Sequence, residues 1–283
     1  DYIIAIEGED VTLSHNPYQF LENRVDVPTR ITVSSQADGS AARTYTIHPI
    51  ASEAELKYHD WVTSRREMVD SLSNGRIGYI HVPNTAVEGN RELHRGMYAY
   101  HDKDALIIDE RFNGGGFIPD RMVELLSRTT HAHWHVHGLT QPMRTPGIAH
   151  DGPKAMLINS YASSGGDAFP YFFRQKNLGT IIGTRTWGGL VGMTGNARLA
   201  DGGYIGVPRF GIYNQEGEWI IEGIGIYPDI EVVDEPHLLA AGKDPSVEKA
   251  VEVLLKELEE NPPRPWPVPA DPDRSKWIEV EVE

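Results

Sequence analysis

The sequence contains no cysteine, which excludes disulfides, thiolate metal sites and a cysteine nucleophile. No apolar run approaches the ~20 residues that a membrane helix needs. The opening Asp1-Tyr-Ile-Ile-Ala-Ile-Glu-Gly8 lacks the basic start and the cleavage site of a secretory leader. Basic residues are scarce: 26 Lys and Arg stand against 41 Asp and Glu, a net charge of −15. Phosphate backbones want a basic face, so this balance argues against a nucleic-acid partner. These absences point to a soluble cytoplasmic protein without membrane association.

What is present is enough apolar material for a packed core, 40% of 283 residues, and a change of rhythm along the chain. The first fifty residues read as short strands around one helix. Asp1 to Ile6 alternates like a strand, Gly8-Glu9-Asp10 turns it, and Asn16-Pro17 starts a helix with Asn as cap. Segments 30–34 and 43–50 read as a hairpin around Asp38-Gly39. Segment 53–72 is long, polar and helical, a connector between two domains. From Arg76 onward, strands alternate with helices: strands over 76–82, 105–110, 154–159 and 180–183, helices over 90–100, 119–128 and 166–175. That order implies crossover units and a largely parallel sheet. Residues 184–233 are rich in glycine and β-formers and read as strands and loops. A helix over 246–260 is opened by Asp244-Pro245, and a tail with five closely spaced prolines follows, extended against a surface or disordered.

Three segments carry chemistry. The strand Ala105-Leu-Ile-Ile-Asp-Glu110 ends in Asn113-Gly-Gly-Gly116. Ligand sites in such sheets lie at the carboxyl ends of strands, and glycines there let backbone N–H groups approach a developing oxyanion. A plain flexible turn explains the same glycines. The strand 154–159 runs into Ser160-Tyr-Ala-Ser-Ser-Gly-Gly-Asp167, which puts serines where a strand gives way to a helix. Ser164-x-x-Asp167 also matches a capping box, which needs no catalysis. Finally, Glu222 lies among apolar and small residues before Pro228-Asp229. There it could orient a histidine, or simply be an exposed loop acid.

Taken with Gly75-Arg-Ile-Gly-Tyr-Ile-His-Val-Pro83 and Gly183-Thr-Arg-Thr-Trp-Gly-Gly189, these segments resemble, in order and over nearly the whole chain, the tricorn peptidases, relatives of the carboxy-terminal processing proteases. The resemblance implies an α/β fold: residues 1–52 as the end of a PDZ-like domain, 53–74 as a connecting helix, 75–261 as a mixed, largely parallel α/β sandwich (crotonase-like), and 262–283 as a proline-rich tail. It implies a serine endopeptidase acting on short unfolded peptides downstream of proteasome-like degradation. Ser164 would be the nucleophile, with Ser163 its rival, the amides of Gly116 and Gly165 the oxyanion hole, and Glu222 the orienting acid. A homohexamer is implied, and no cofactor or metal.

In that family a helical domain upstream supplies the catalytic histidine, beside a second serine. None of the twelve histidines here sits in that context, so the base is expected before Asp1. A Ser-Lys dyad is disfavoured because 184–190 holds no lysine. His131, His133, His135 and His137 alternate and would share one face of a strand, yet no acid lies nearby to complete a metal site. The absence of Asp and Glu between Thr129 and His150, with Trp134 near the matching point, predicts an apolar or mixed specificity. The alternative function is a non-catalytic peptide-binding module of PDZ-like and α/β parts.

Overall fold

The computed structural model describes residues 1–136, 138–140, 142–193, 198–263 and 266–270. Two compact units divide at 62/63, inside the helix α1 (Ala54–Leu72).

The first unit is built on an antiparallel sheet of β1 (Tyr2–Ile6), β2 (Glu9–Asp10), β3 (Thr29–Ser34) and β4 (Arg43–Ile47), in the order β2-β1-β3-β4. The turn from β1 to β2 falls on Glu7 and Gly8, with φ of 53° and 83°. Two consecutive positive φ values give the turn sense that matches strand twist, so Glu9 and Asp10 pair in the ladder instead of turning it. The helix at Asn16-Pro17 is a 3-10 turn over Pro17–Leu21, with the Asn16 side chain accepting the Tyr18 N–H at 3.1 Å. The β3–β4 hairpin pairs Thr29 with Ile47 through Val33 with Arg43, so the second strand stops short of residue 50.

The second unit centres on a five-stranded parallel sheet in the order β11-β10-β9-β6-β5. Its strands are β5 (Ile77–His81), β6 (Ala105–Asp109), β9 (Lys154–Ile158), β10 (Thr180–Gly183) and β11 (Ile230–Glu231). Every residue of β5, β6 and β9 is buried, the pattern of parallel strands covered on both faces. One face packs Ile80, Leu106, Ile108, Met156 and Ile181 against Leu93 and Met97 of α2 (Val87–Ala99), Met122 and Leu126 of α3 (Asp120–Leu126), and Phe169 and Phe173 of α4 (Gly165–Gln175). Helix α6 (Pro245–Glu260) packs on β6, β9 and β10, and α5 (Pro236–Ala240) precedes it.

A buried ionic cluster ties α6 to the sheet. The Arg111 guanidinium meets Asp109 at 2.6 Å, Asp234 at 2.8 Å and Asp244 at 2.9 Å, and Arg65 pairs with Asp244 at 2.6 Å. Asp244 also caps α6 by accepting the Val247 N–H at 3.1 Å. Burial opposes ionisation of Asp109, but the Arg111 charge outweighs it and holds the carboxyl below its usual range.

Segment 184–233, read as strands and loops, carries one strand of the sheet, β11, at its end and is mostly loop before it. Before β11 its described residues hold only isolated pairings, Gly192 with Phe210, Arg198 with Tyr204 and Tyr213 with Trp219, because glycines at 188, 202, 217, 223 and 225 sit at positive φ and turn the chain repeatedly. The histidine run is also shorter as a strand than its spacing suggests. A two-stranded sheet pairs β7 (Ala132–Trp134) with β8 (Met143–Thr145), and His137 lies outside the described residues. Of the tail, Trp266 packs on the His133 ring at 4.8 Å, while residues 264–265 and 271–283 lie outside the described residues.

Candidate active site

The carboxyl ends of β6 and β9 run into the two segments singled out for chemistry, and the structure brings those segments into direct contact. Asn113, fully buried, is the post between them. Its side chain donates to the Val82 carbonyl at 3.0 Å and accepts the Gly115 N–H at 2.9 Å. Its own carbonyl accepts the Ser163 N–H at 3.0 Å. Gly115 has φ of 77°, and a Cβ there would meet the Ser164 Cβ at 2.8 Å, so only glycine lets the bend come this close to the serine.

Ser164 begins α4 with φ 57° and ψ −113°. A non-glycine residue at positive φ on a strand-to-helix turn is stored strain, and this placement lifts a side chain out at the top of a sheet. Ser163 has no such backbone. The residue types around Ser164 form a capping box, and its Asp half is made: Asp167 accepts the Ser164 N–H at 2.7 Å. The Asp167 N–H bonds the Ser164 carbonyl oxygen at 2.9 Å.

Gly116 has φ of 142°, and a Cβ on it would meet the Ala86 nitrogen at 2.7 Å. A Cβ on Gly165 would collide with the Thr85 hydroxyl, which donates to the Phe117 carbonyl at 2.7 Å. Both glycines are thus required by close approach. Among the described residues no hydrogen bond consumes the N–H of Gly116 or of Gly165.

Asp167 is fully buried and does more than cap. Its carboxylate also accepts the N–H groups of Gly188 at 2.7 Å and Gly189 at 3.3 Å. The next amide, Leu190 N–H, donates to Glu222 at 2.7 Å, and Gly223 N–H returns to the Gly188 carbonyl at 2.7 Å. Residues 188–190 therefore stitch the serine turn to the acid loop. Ile221, held at φ 75°, sinks into a cluster with Ala168 of α4, Leu190 and Ile226, and leaves the neighbouring Glu222 side chain exposed. Among the described residues no histidine hydrogen-bonds Ser164 or Glu222, and no three His, Asp or Glu side chains converge to hold a metal ion.

Asn113, Thr85 and the long-range role of Asp167 were not singled out in the sequence. The Ser-x-x-Asp spacing marked Asp167 as a cap, but its bonds to Gly188 and Gly189 have no local signature. Glu110 was also missed. It directly follows β6, fully buried, and neither carboxyl oxygen has a hydrogen-bond partner among the described residues. Burial, with the nearby charges of Asp167 and Asp109, pushes its carboxyl well above the ordinary value.

A covered five-stranded parallel sheet, with Ser164 on a strained turn against a glycine bend at its strand ends, defines a mixed α/β domain. The chain belongs to peptidase family S41, whose family model matches residues 76–232. It is 35% identical over 270 residues to the tricorn protease of Thermoplasma acidophilum, covering 93% of this chain and 25% of that protein. It is 33% identical over 267 residues to tricorn protease homolog 1 of Streptomyces coelicolor, covering 94% of this chain and 25% of the relative. A crystal structure of the tricorn protease superimposes with a TM-score of 0.84 at 33% identity, over 91% of this chain and 25% of that one. The chain spans about a quarter of the length of these relatives.

Proposed function

We propose that this chain carries the nucleophile, oxyanion-binding amides and orienting acid of a serine endopeptidase that cleaves short unfolded peptides. The observation that carries the reading is the strained backbone of Ser164 packed against the Gly115 bend. In this mechanism the Ser164 hydroxyl attacks the scissile carbonyl, and a histidine takes its proton and passes it to the leaving amine. The oxyanion is received by the N–H groups of Gly116 and Gly165. Water then releases the acyl group from Ser164 and the hydroxyl is restored. Glu222 fixes the tautomer of the histidine, which comes from polypeptide outside residues 1–283.

The same reading takes residues 1–52 as the end of a PDZ-like domain, 53–74 as its connecting helix and 75–261 as the catalytic domain. The working particle is a cytoplasmic homohexamer that handles the peptides left by proteasome-like degradation. The kinship with tricorn proteases supports these assignments.

A fluorophosphonate probe applied to the full-length protein tests the chemistry. Labelling is expected on wild type and on Ser163→Ala, and is lost in Ser164→Ala. Intact protein that takes no label refutes the peptidase and favours a peptide-binding module.

A further inference from the structure

A cavity of about 480 Å³ opens beside Glu222. Its walls are the side chains of Val191, Phe210, Ile212, Trp219 and Ile220. Arg209 and Glu222 add one charge of each sign to the lining, so it offers no net charge to select a basic or an acidic group. The volume falls in the range of small-ligand sites, where apolar walls carry affinity and a few polar groups orient.

The walls are pinned by backbone bonds. Gly192 N–H donates to the Phe210 carbonyl and Arg209 N–H to the Gly192 carbonyl, both at 2.8 Å, and Ile220 N–H donates to the Ile212 carbonyl at 3.1 Å. A Cβ at Gly192 would collide with the Phe210 ring, which therefore lies flush on the backbone. Trp219 stands edge-on to Tyr213 with ring centroids 5.8 Å apart. Trp219 is nonetheless 72% exposed and Phe210 54% exposed. Two large aromatic faces held open to solvent beside a cavity mark a binding surface.

We infer that this cavity is a specificity pocket that receives an apolar or aromatic side chain of the peptide substrate. Its continuity with the candidate active site identifies the occupant. Glu222 lines the cavity and, with the same carboxylate, holds Leu190 N–H, one residue before the wall residue Val191. Asp167 in turn holds Gly188, Gly189 and the Ser164 N–H, so residues 188–190 join the cavity wall to the serine turn. The inference rests on the peptidase reading and adds to it the class of side chain recognised.

The test uses full-length protein with Ser164→Ala, so that binding is read without turnover. Blocked tripeptides identical except for a central Phe, Leu, Ala, Lys or Glu are titrated by calorimetry. Phe and Leu peptides are expected to bind about tenfold or more tightly than the other three, and adding Trp219→Ala or Phe210→Ala removes that preference. Equal affinities for all five peptides overturn the pocket. So does a preference that survives both aromatic deletions, or a Trp219→Ala protein whose sedimentation shifts while peptide binding stays unselective, which would assign this face to a second copy of the chain. Fluorophosphonate labelling is scored in parallel on protein that retains Ser164. Labelling with unselective binding sinks the pocket alone, whereas selective binding without labelling supports the pocket and sinks the peptidase.

Discussion

Glu110→Gln replaces a fully buried carboxyl, neither oxygen of which has a hydrogen-bond partner among the described residues, by a neutral group of the same shape. Burial and the charges of Asp167 and Asp109 hold Glu110 protonated in the folded chain well above its ordinary value of 4.5, whereas in the unfolded chain it ionises near that value. The native state therefore binds the extra proton, and stability falls as pH rises from the unfolded pKa toward the folded one. The slope is about 1.4 kcal/mol per pH unit. Glutamine has no proton to lose, so the variant escapes this term. Other titrating groups are common to both proteins and cancel in the difference. For a unit of this size 1 kcal/mol moves Tm by roughly 2–4 °C. The variant should therefore gain on wild type by about 3–5 °C for each pH unit above the unfolded value until Glu110 ionises in the folded chain, as read in calorimetric melts. A Tm difference that stays flat above the unfolded value would mean that Glu110 is ionised in the native state, and the reasoning fails.

Gly165→Ala sets a methyl group against the Thr85 hydroxyl and displaces one proposed oxyanion amide. Fluorophosphonate labelling of the full-length protein should drop about 100-fold, and Thr85→Ala in the same protein should restore part of it; an unimpaired Gly165→Ala protein removes that amide from the mechanism. Arg111→Met strands the buried Asp109 and leaves Asp244 with Arg65 as its remaining cation, and should cost about 3–5 kcal/mol in urea unfolding. Because Asp109 ionises at lower pH folded than unfolded, the stability it contributes is present above pH 3.8 and is lost as acid carries it through its folded value. Wild type should show this acid-side loss and Arg111→Met should not.

Much of the scaffold was legible because local pattern and burial agree. The runs Ala105–Asp109 and Lys154–Ile158 are apolar enough to sit between two helical layers, and all of their residues are buried. Asp244-Pro245 and Asn16-Pro17 are capping signals that the backbone obeys. The serine junction was legible as a place but not as a conformation, since nothing in Ser-Ser-Gly-Gly encodes φ of 57° at Ser164. At that turn Asp167 grips the Ser164 N–H and the Gly115 bend runs too close to the Ser164 Cβ to carry a side chain of its own, and both partners are set by the tertiary fold. In segment 184–233 Ile, Val and Tyr favour strands in isolation, but among the described residues five glycines at positive φ limit the pairing before β11 to isolated bridges. The apolar cavity was invisible for the same reason, its two sides lying far apart in the chain.

Asp167 and Glu222 grip neighbouring amides of one short stretch, residues 188–190, through backbone groups alone. Any shove on that stretch is felt by the nucleophile and the acid together. A peptide that disturbs the stretch while docking would thus throw both out of alignment at one stroke, and one that leaves it undisturbed would find both in register.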